Sequence, residues 1–174
     1  APSSVERLMI EGENEHVHPD KAHIRYQFPA RGSMAPLQLD WYSGLRPAEA
    51  DEITGDHKPG DEQGGAVIIG SEGMISHGTY PGNSLTLLPA SLKKEAAGIK
   101  SELPNLRGSH ESIWAAACKG EGPVSSGFEY AAGLNELTHI GNLAIRLGGK
   151  IKWDAEKGEA PGTPEASRYI RMPR

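Results

Sequence analysis

The segment from Phe128 to Leu147 limits the possible folds most strongly, because its apolar residues recur at the spacing of an α-helix along its whole length. Its apolar stripe consists of Tyr130, Leu134, Leu137, Gly141 and Ala144. The stripe is widened by Ile140, Leu143 and Leu147. Gly148 and Gly149 follow directly and favour a helix end at that point. A helix with so broad an apolar face must be buried against other elements of the fold.

The first third of the chain alternates with the period of a β-strand instead. Over residues 23–28 one face carries Ile24, Tyr26 and Phe28, and the other carries His23, Arg25 and Gln27. Over residues 37–42 one face carries Leu37, Leu39 and Trp41, and the other carries Gln38, Asp40 and Tyr42. The short connection between these segments predicts an antiparallel pair with one buried face. Trp41 aligns with the apolar set, so we expect it in the core.

The stretch of residues 43–65 is charged, rich in Gly and Pro, and almost free of large apolar residues. A connection of this length predicts a long mobile loop, which is either a binding or lid loop or a disordered segment. The apolar run Ala66–Ile69 follows and is typical of a buried central strand. The turn residues Gly70–Gly73 then predict a hairpin that returns through Met74–His77.

The second half of the chain is mainly helical in pattern. Ser91–Ala97 is a short helix candidate, Ser109 has the features of an N-cap, and Thr163 before a proline marks a further helix start. Ile151 and Trp153 alternate as a late strand. Strands first, helices next and one closing strand predict an α+β fold, with an antiparallel-rich open β-sheet and helices packed on one face.

The composition is that of a soluble globular protein. The length of 174 residues predicts one domain over residues 1–174, and the net charge of −5 argues against a nucleic-acid partner. No apolar run approaches the roughly 18 residues that span a bilayer. The chain begins APSS, without methionine, and we expect its N-terminus to be a cut in a longer parent. The single cysteine, Cys118, excludes an intramolecular disulfide and is expected to be an inert core thiol.

Five segments carry a resemblance to a known family. They are YQFPARG at 26–32, LDWYSG at 39–44, the run from GMISHGTYPGN to LTLLP at 73–89, GSHESIWAAACKG at 108–120, and a tail from GNLAIRLGG through KIKWDAE to PEASRYIR at 141–171. In this order they resemble the C-terminal domain of bacterial oxidoreductases of the glucose–fructose oxidoreductase/inositol dehydrogenase/MocA-like (Gfo/Idh/MocA) family. The resemblance covers nearly all of residues 4–171.

The resemblance implies that the intact parent is an NAD(P)-dependent oxidoreductase that acts on a sugar or cyclitol. Members of the family hold NAD or NADP on an N-terminal Rossmann domain, and no Gly-x-Gly-x-x-Gly fingerprint follows a strand here. The family's catalytic lysine lies in a Glu-Lys-Pro step of that domain, which the Glu156-Lys157-Gly158 step does not match. We therefore expect this chain to lack the Rossmann domain, to bind no cofactor and to be inactive alone, with its catalytic residues unknown.

The same resemblance implies that this half supplies part of the substrate-site wall and the oligomer interface. The expected partners are the missing Rossmann domain, further copies of the chain and a small sugar-like substrate. The bacterial cytoplasm and the periplasm both stay open as locations.

We expect five side chains to line the substrate wall. His77, Tyr80 and Asn83 lie in a Gly/Pro-rich segment after a strand, where their polar groups can bond sugar hydroxyls. Tyr42 offers an aromatic face for sugar C–H groups, and His110 begins a helix from which it can assist proton transfer. Purely structural roles stay open as well, such as turn capping by Asn83 and backbone bonding by His110.

Metal binding is not expected. His16 and His18 lie two residues apart, but no matched third ligand accompanies them. The acidic stretch 51–62 lacks the alternating Asp/Asn pattern of a calcium loop.

A second functional hypothesis belongs to another class. A stand-alone carbohydrate-binding or protein-interaction module without catalysis would also account for an uncovered sheet face and the lack of a cofactor motif.

Overall fold

The computed structural model describes residues 1–14, 16–47, 49–80, 84–100, 108–124 and 126–171. The chain forms two compact units, one made of residues 1–45 and 107–174 and the other of residues 46–106. The single domain expected over residues 1–174 stays a prediction, because the division into compact units does not decide it.

The described elements are mostly strands in the first half of the chain and mostly helices in the second, as predicted, with one unpredicted helix among the strands. The strands are β1 (Ser4–Glu11), β2 (Lys21–Phe28), β3 (Leu37–Ser43), β4 (Gly65–Ile69), β5 (Met74–Gly78), β6 (Thr86–Leu88) and β7 (Lys150–Lys152). The helices are α1 (Glu49–Thr54), α2 (Leu92–Ala96), α3 (His110–Cys118), α4 (Phe128–Leu147) and α5 (Ser167–Ile170), with a 3-10 turn at Pro164–Ala166. The strand pairs formed by the described residues are all antiparallel, and the α+β fold class is confirmed.

The first unit is built on a four-stranded sheet in the order β3-β2-β1-β7, and α4 packs against β1 and β2. The buried residues of this core are Val5, Ala22, Ile24, Tyr26, Ile140, Leu143, Ala144, Ile145, Ile151 and Ala166. Ile24 and Tyr26 belong to the apolar face expected of β2, so the alternation gave the buried side correctly. Ile151 lies on β7, the edge strand next to β1, and its buried side chain belongs to the same core.

Helix α4 has the predicted bounds, but the sheet covers only its second half. The buried residues of α4 all lie between Ile140 and Ile145, whereas Tyr130 and Leu134 of the same apolar stripe are exposed. The expectation that the whole stripe is buried is therefore wrong. Arg7 of β1 donates a hydrogen bond from Nη1 to the carbonyl oxygen of Ile145 at 2.8 Å, which satisfies a carbonyl of the last helical turn.

The second unit contains a three-stranded sheet in the order β4-β5-β6. The hairpin predicted around Gly70 is confirmed, since the Gly70 N–H donates to the Gly73 carbonyl oxygen at 2.8 Å. The prediction of a buried central strand at Ala66–Ile69 is wrong, because β4 lies at the edge and leaves Ile68 and Ile69 more than half exposed. The central strand is β5, whose Ser76 is fully buried.

Residues 43–65 are not simply a long loop, because α1 occupies Glu49–Thr54 within them. The Thr54 hydroxyl donates to the Ala50 carbonyl oxygen at 2.8 Å, and Arg46 Nη1 donates to the Pro59 carbonyl oxygen at 3.0 Å. These bonds give the stretch a local structure that its composition did not indicate. Its predicted mobility stays a prediction.

Two apolar side chains expected in the core are exposed. Trp41 lies opposite Ile24 in the register and thus on the apolar side of the sheet, but β3 is an edge strand and 59% of Trp41 remains exposed. Cys118 is also exposed, because no residue of α3 is buried. The periodicity gave the correct face of β3, but α4 packs mainly on β1 and β2 and leaves Trp41 at the edge of the covered area.

We predict that Gly141→Ala destabilises the chain through a clash with the Tyr26 hydroxyl, which occupies the space that a Cβ atom at Gly141 would need. Overpacking of this kind costs about 1–3 kcal/mol, offset by up to about 1 kcal/mol of gained helix propensity. Urea titration should therefore show a free energy of unfolding lower by about 1–2 kcal/mol.

The matched control is Gly133→Ala on the same helix, where no atom lies within 4 Å of the added Cβ, so that stability should rise. Adding Tyr26→Phe to Gly141→Ala should restore part of the loss. Equal effects of the two Gly→Ala changes would contradict the proposed contact.

Candidate functional site

A ladder of polar side chains covers the face of β2 and β3 that points away from the core. The register sets His23 opposite Tyr42, Arg25 opposite Asp40 and Gln27 opposite Gln38. We call these six residues the β2–β3 polar ladder. Their position follows from the strand alternation, because Ile24 and Tyr26 between them point into the core.

Asp40 is the centre of the ladder. Its Oδ1 atom lies 2.7 Å from His23 Nε2 and accepts a bond from Arg25 Nε at 2.8 Å, while Gln38 Nε2 donates to Oδ2 at 2.7 Å. Burial alone would raise the pKa of Asp40, but the hydrogen bonds from His23, Arg25 and Gln38 outweigh it and hold the pKa below 3.8. The carboxylate therefore stays ionised and fixes three neighbours.

Tyr42 is held in the ladder by ring stacking. Its ring centroid lies 4.2 Å from that of His23, with 21° between the ring planes. The imidazole is thus fixed on one side by Asp40 and on the other by Tyr42. Aromatic, guanidinium, amide and carboxylate groups within one rigid array can bind the hydroxyl groups and C–H face of a small polar molecule.

The other predicted site residues are distributed over both units. His77 of β5 and Tyr80 belong to the second unit, whereas His110 belongs to the first, as Tyr42 does. Asn83 lies outside the described residues. Their role in a substrate wall stays a prediction.

His77 and Tyr80 lie close in sequence to Thr79, which is hydrogen-bonded to the carboxylate of Asp61. His77 Nδ1 lies 2.6 Å from the Gly78 carbonyl oxygen, and the side chain of Tyr80 is 72% exposed. Asp61 accepts bonds from the Thr79 N–H at 2.7 Å and from the Thr79 hydroxyl at 2.8 Å, which lowers its pKa below 3.8. The loop before Tyr80 is thus fixed by Asp61, while the phenol projects into solvent.

His110 is the first residue of α3 and is exposed. The predicted N-cap is confirmed, because Ser109 Oγ accepts a bond from the Ser112 N–H at 3.2 Å. The Ser109 hydrogen bond, with smaller contributions from the helix backbone and His110, lowers the pKa of Glu111 below 4.5. His110 therefore stands at a capped helix start with an ionised carboxylate next to it.

The sequence named Tyr42 as a site candidate, but it did not indicate which side chains Tyr42 contacts. The alternation places His23, Arg25 and Asp40 on the polar faces of their strands and gives them no partners. The signal that would have found them is the cross-strand register, since pairing His23 with Tyr42 fixes every other pair of the ladder. Register depends on the turn between the strands, which the alternation does not specify.

Comparison with protein-family models, with curated proteins and with solved structures gave no significant match. In the described part of the chain, no three or more His, Cys, Asp or Glu side chains are grouped so that they could hold a metal ion. No helix among the described residues has the length and hydropathy needed to cross a membrane.

We predict that Asp40→Asn lowers the free energy of unfolding at neutral pH by about 1 kcal/mol, because it weakens charge-assisted bonds at a partly exposed site. The folded-state pKa of Asp40 is depressed, so its stabilising effect is present above pH 3.8 and is lost as the pH falls through the lowered pKa. Urea titrations across this range should show the variant and the parent converging in acid.

Asp56→Asn is the matched control, since it removes the same charge from an exposed position. It should leave the free energy of unfolding within about 0.5 kcal/mol of the parent. Parallel pH profiles for Asp40→Asn and the parent would contradict the role given to Asp40.

Proposed function

We propose that this chain is the substrate-wall and oligomer-interface half of an NAD(P)-dependent oxidoreductase, similar to those of the Gfo/Idh/MocA family, that acts on a sugar or cyclitol. A Rossmann domain would hold the dinucleotide, and this chain would be inactive alone. The α+β fold and the order of the five resembling segments agree with this assignment.

The observation that carries the proposal is the set of large apolar side chains left exposed on α3 and on the first half of α4. Phe128 is 94% exposed and Trp114 is 65% exposed, with Tyr130 and Leu134 also more than half exposed. Exposed aromatic groups of this kind are typical of surfaces that another protein covers. A counterpart domain or a second copy of the chain docking on α3 and α4 would bury them.

The chemical role of this half is to position the substrate. The nicotinamide, when bound to the counterpart domain, would exchange the hydride with the substrate carbon. In the chain itself, Tyr42 and the ladder offer a rigid set of donors and acceptors for substrate hydroxyls. Orientation by such groups lowers a reaction barrier by several kcal/mol without any bond being made to the protein.

A second candidate function is a carbohydrate-binding module without catalysis. It is favoured by a cleft of about 640 Å³ in the first unit, whose lining combines aromatic side chains such as Trp153 with polar ones such as Asn142. The two functions differ in the coding sequence upstream of Ala1: a Rossmann fingerprint there supports the oxidoreductase, and its lack supports the module.

We predict that the isolated chain gives no saturable change in NADH fluorescence, because the dinucleotide site would belong to the counterpart domain. Adding a Rossmann domain encoded upstream in the parent gene should produce saturable binding and sugar-dependent turnover. Tight NADH binding by this chain alone would contradict the proposal.

We predict that Trp114→Ser combined with Phe128→Ser changes the free energy of unfolding of the chain by no more than about 0.5 kcal/mol, since both side chains are exposed. The same double variant should weaken docking to the counterpart domain or to a second copy by about tenfold or more, measured by sedimentation. The control is Leu143→Ala, which should lower stability by about 2–5 kcal/mol because Leu143 is buried. Unchanged docking by the double variant would rule out this surface.

A further inference from the structure

The second unit has a sheet edge that no other described strand or helix covers. In the order β4-β5-β6, β4 has a neighbouring strand only on the side of β5. Its five residues, GAVII, include no charged side chain and no proline. Ile68 and Ile69 are both more than half exposed, although they lie on opposite faces of the strand. Such an edge pairs readily with another strand, because its outward N–H and C=O groups have no partner in the sheet.

The other sheet edges of the described chain carry the protection that β4 lacks. β7 has only three residues, of which Lys150 and Lys152 are exposed. β3 carries the charged side chain of Asp40. β6 is also only three residues long, is followed directly by Pro89 and packs against α2. Lysine, proline, short length and a covering helix all discourage strand addition, so β4 is the edge at which we expect it.

The register of the hairpin shows which backbone groups of β4 are free. The Gly70 N–H donates to the Gly73 carbonyl oxygen, and hydrogen-bonded pairs alternate from there along β4 and β5. Ala66 and Ile68 therefore bond to β5. The residues of β4 whose N–H and C=O groups point away from β5 are Gly65, Val67 and Ile69.

A second copy of the chain is complementary to this edge. The antiparallel register that uses all three free residues has a two-fold axis at Val67, so that Val67 faces itself and Gly65 faces Ile69. These pairs form about six backbone hydrogen bonds. β-branched side chains favour such pairing, and no like charges oppose each other because Glu62 and Glu72 lie outside the paired segment.

We propose that β4 pairs with β4 of a second copy and joins the two three-stranded sheets into one sheet of six strands. The outer edges of that sheet are the two β6 strands, which pack against α2, so the assembly stops at two copies. A strand of five residues is about 17 Å long, and its pairing buries less than the roughly 800 Å² per partner typical of stable complexes. The dimer therefore forms reversibly, at micromolar to millimolar concentrations.

This pairing does not depend on the proposed oxidoreductase function. It uses only residues of the second unit, whereas the docking surface on α3 and α4 belongs to the first unit. The double variant Trp114→Ser with Phe128→Ser should therefore leave the pairing of β4 unchanged. Failure of either proposal leaves the other one standing.

The test is sedimentation of the full chain from about 10 µM to about 1 mM, combined with amide hydrogen exchange followed by NMR. We expect the dimer fraction to rise with concentration, and the amides of Val67 and Ile69 to become protected in step with it. The amide of Ile68 is the internal control, because its bond to β5 should protect it at every concentration.

Three variants of one residue separate pairing from folding. Val67→Pro removes an outward N–H and no bond to β5, so circular dichroism should show an intact fold while dimerisation weakens by about tenfold or more. Val67→Lys leaves the backbone intact and sets like charges opposite each other, so it should also weaken the dimer and decides the test if the proline variant unfolds. Val67→Thr is the matched control, which keeps the β-branched shape and should change dimerisation by less than about threefold.

Three results would overturn the proposal. The chain could stay monomeric over the whole concentration range, or Val67→Lys could dimerise as strongly as the parent. The amide of Val67 could also be equally protected at every dilution, which would mean that another segment of the same chain covers β4. Assemblies that grow beyond two copies would contradict the closed pair as well.

Discussion

The packing of the second half of α4 onto β1 and β2 is the contact on which the rest of the structure depends. Gly141 allows the helix to approach the Tyr26 ring, and Ala144 is fully buried beside it. Small residues at these positions let helix and sheet come close enough to exclude water from the core. Arg7 adds a hydrogen bond from β1 to the end of the helix. Loss of this contact would leave the sheet without its only extensive cover among the described residues.

That single contact also divides the surface of the first unit into distinct regions. One sheet face is covered by α4, so the other is free to hold the polar side chains around Asp40. The buried half of α4 lines the cleft of the first unit, while its other half leaves Phe128 and Tyr130 exposed. The proposed substrate wall and the proposed docking surface would therefore lie on separate parts of one helix-on-sheet unit.

Both polar surfaces are organised by side-chain hydrogen bonds rather than by backbone alone. Asp40 fixes its neighbours in the ladder, and Asn14 fixes the loop beside the cleft. Such bonds reduce the conformational entropy that a ligand would otherwise have to remove on binding. In the proposed oxidoreductase this rigidity serves to orient a substrate, and in a binding module it would serve affinity alone.

The sequence by itself determined the α+β class, the bounds of α4, the hairpin of β4 with β5 and the polar and apolar faces of β2 and β3, because all of these follow from local periodicity and turn residues. Only the tertiary structure decided strand order, which leaves Trp41 exposed on an edge and moves β4 out of the centre. It also decided register, which joins Tyr42 to Asp40 through His23, and it gathered the cleft from segments far apart in the chain. Periodicity reports which side of an element is apolar, whereas the layer that covers that side comes from residues distant in sequence.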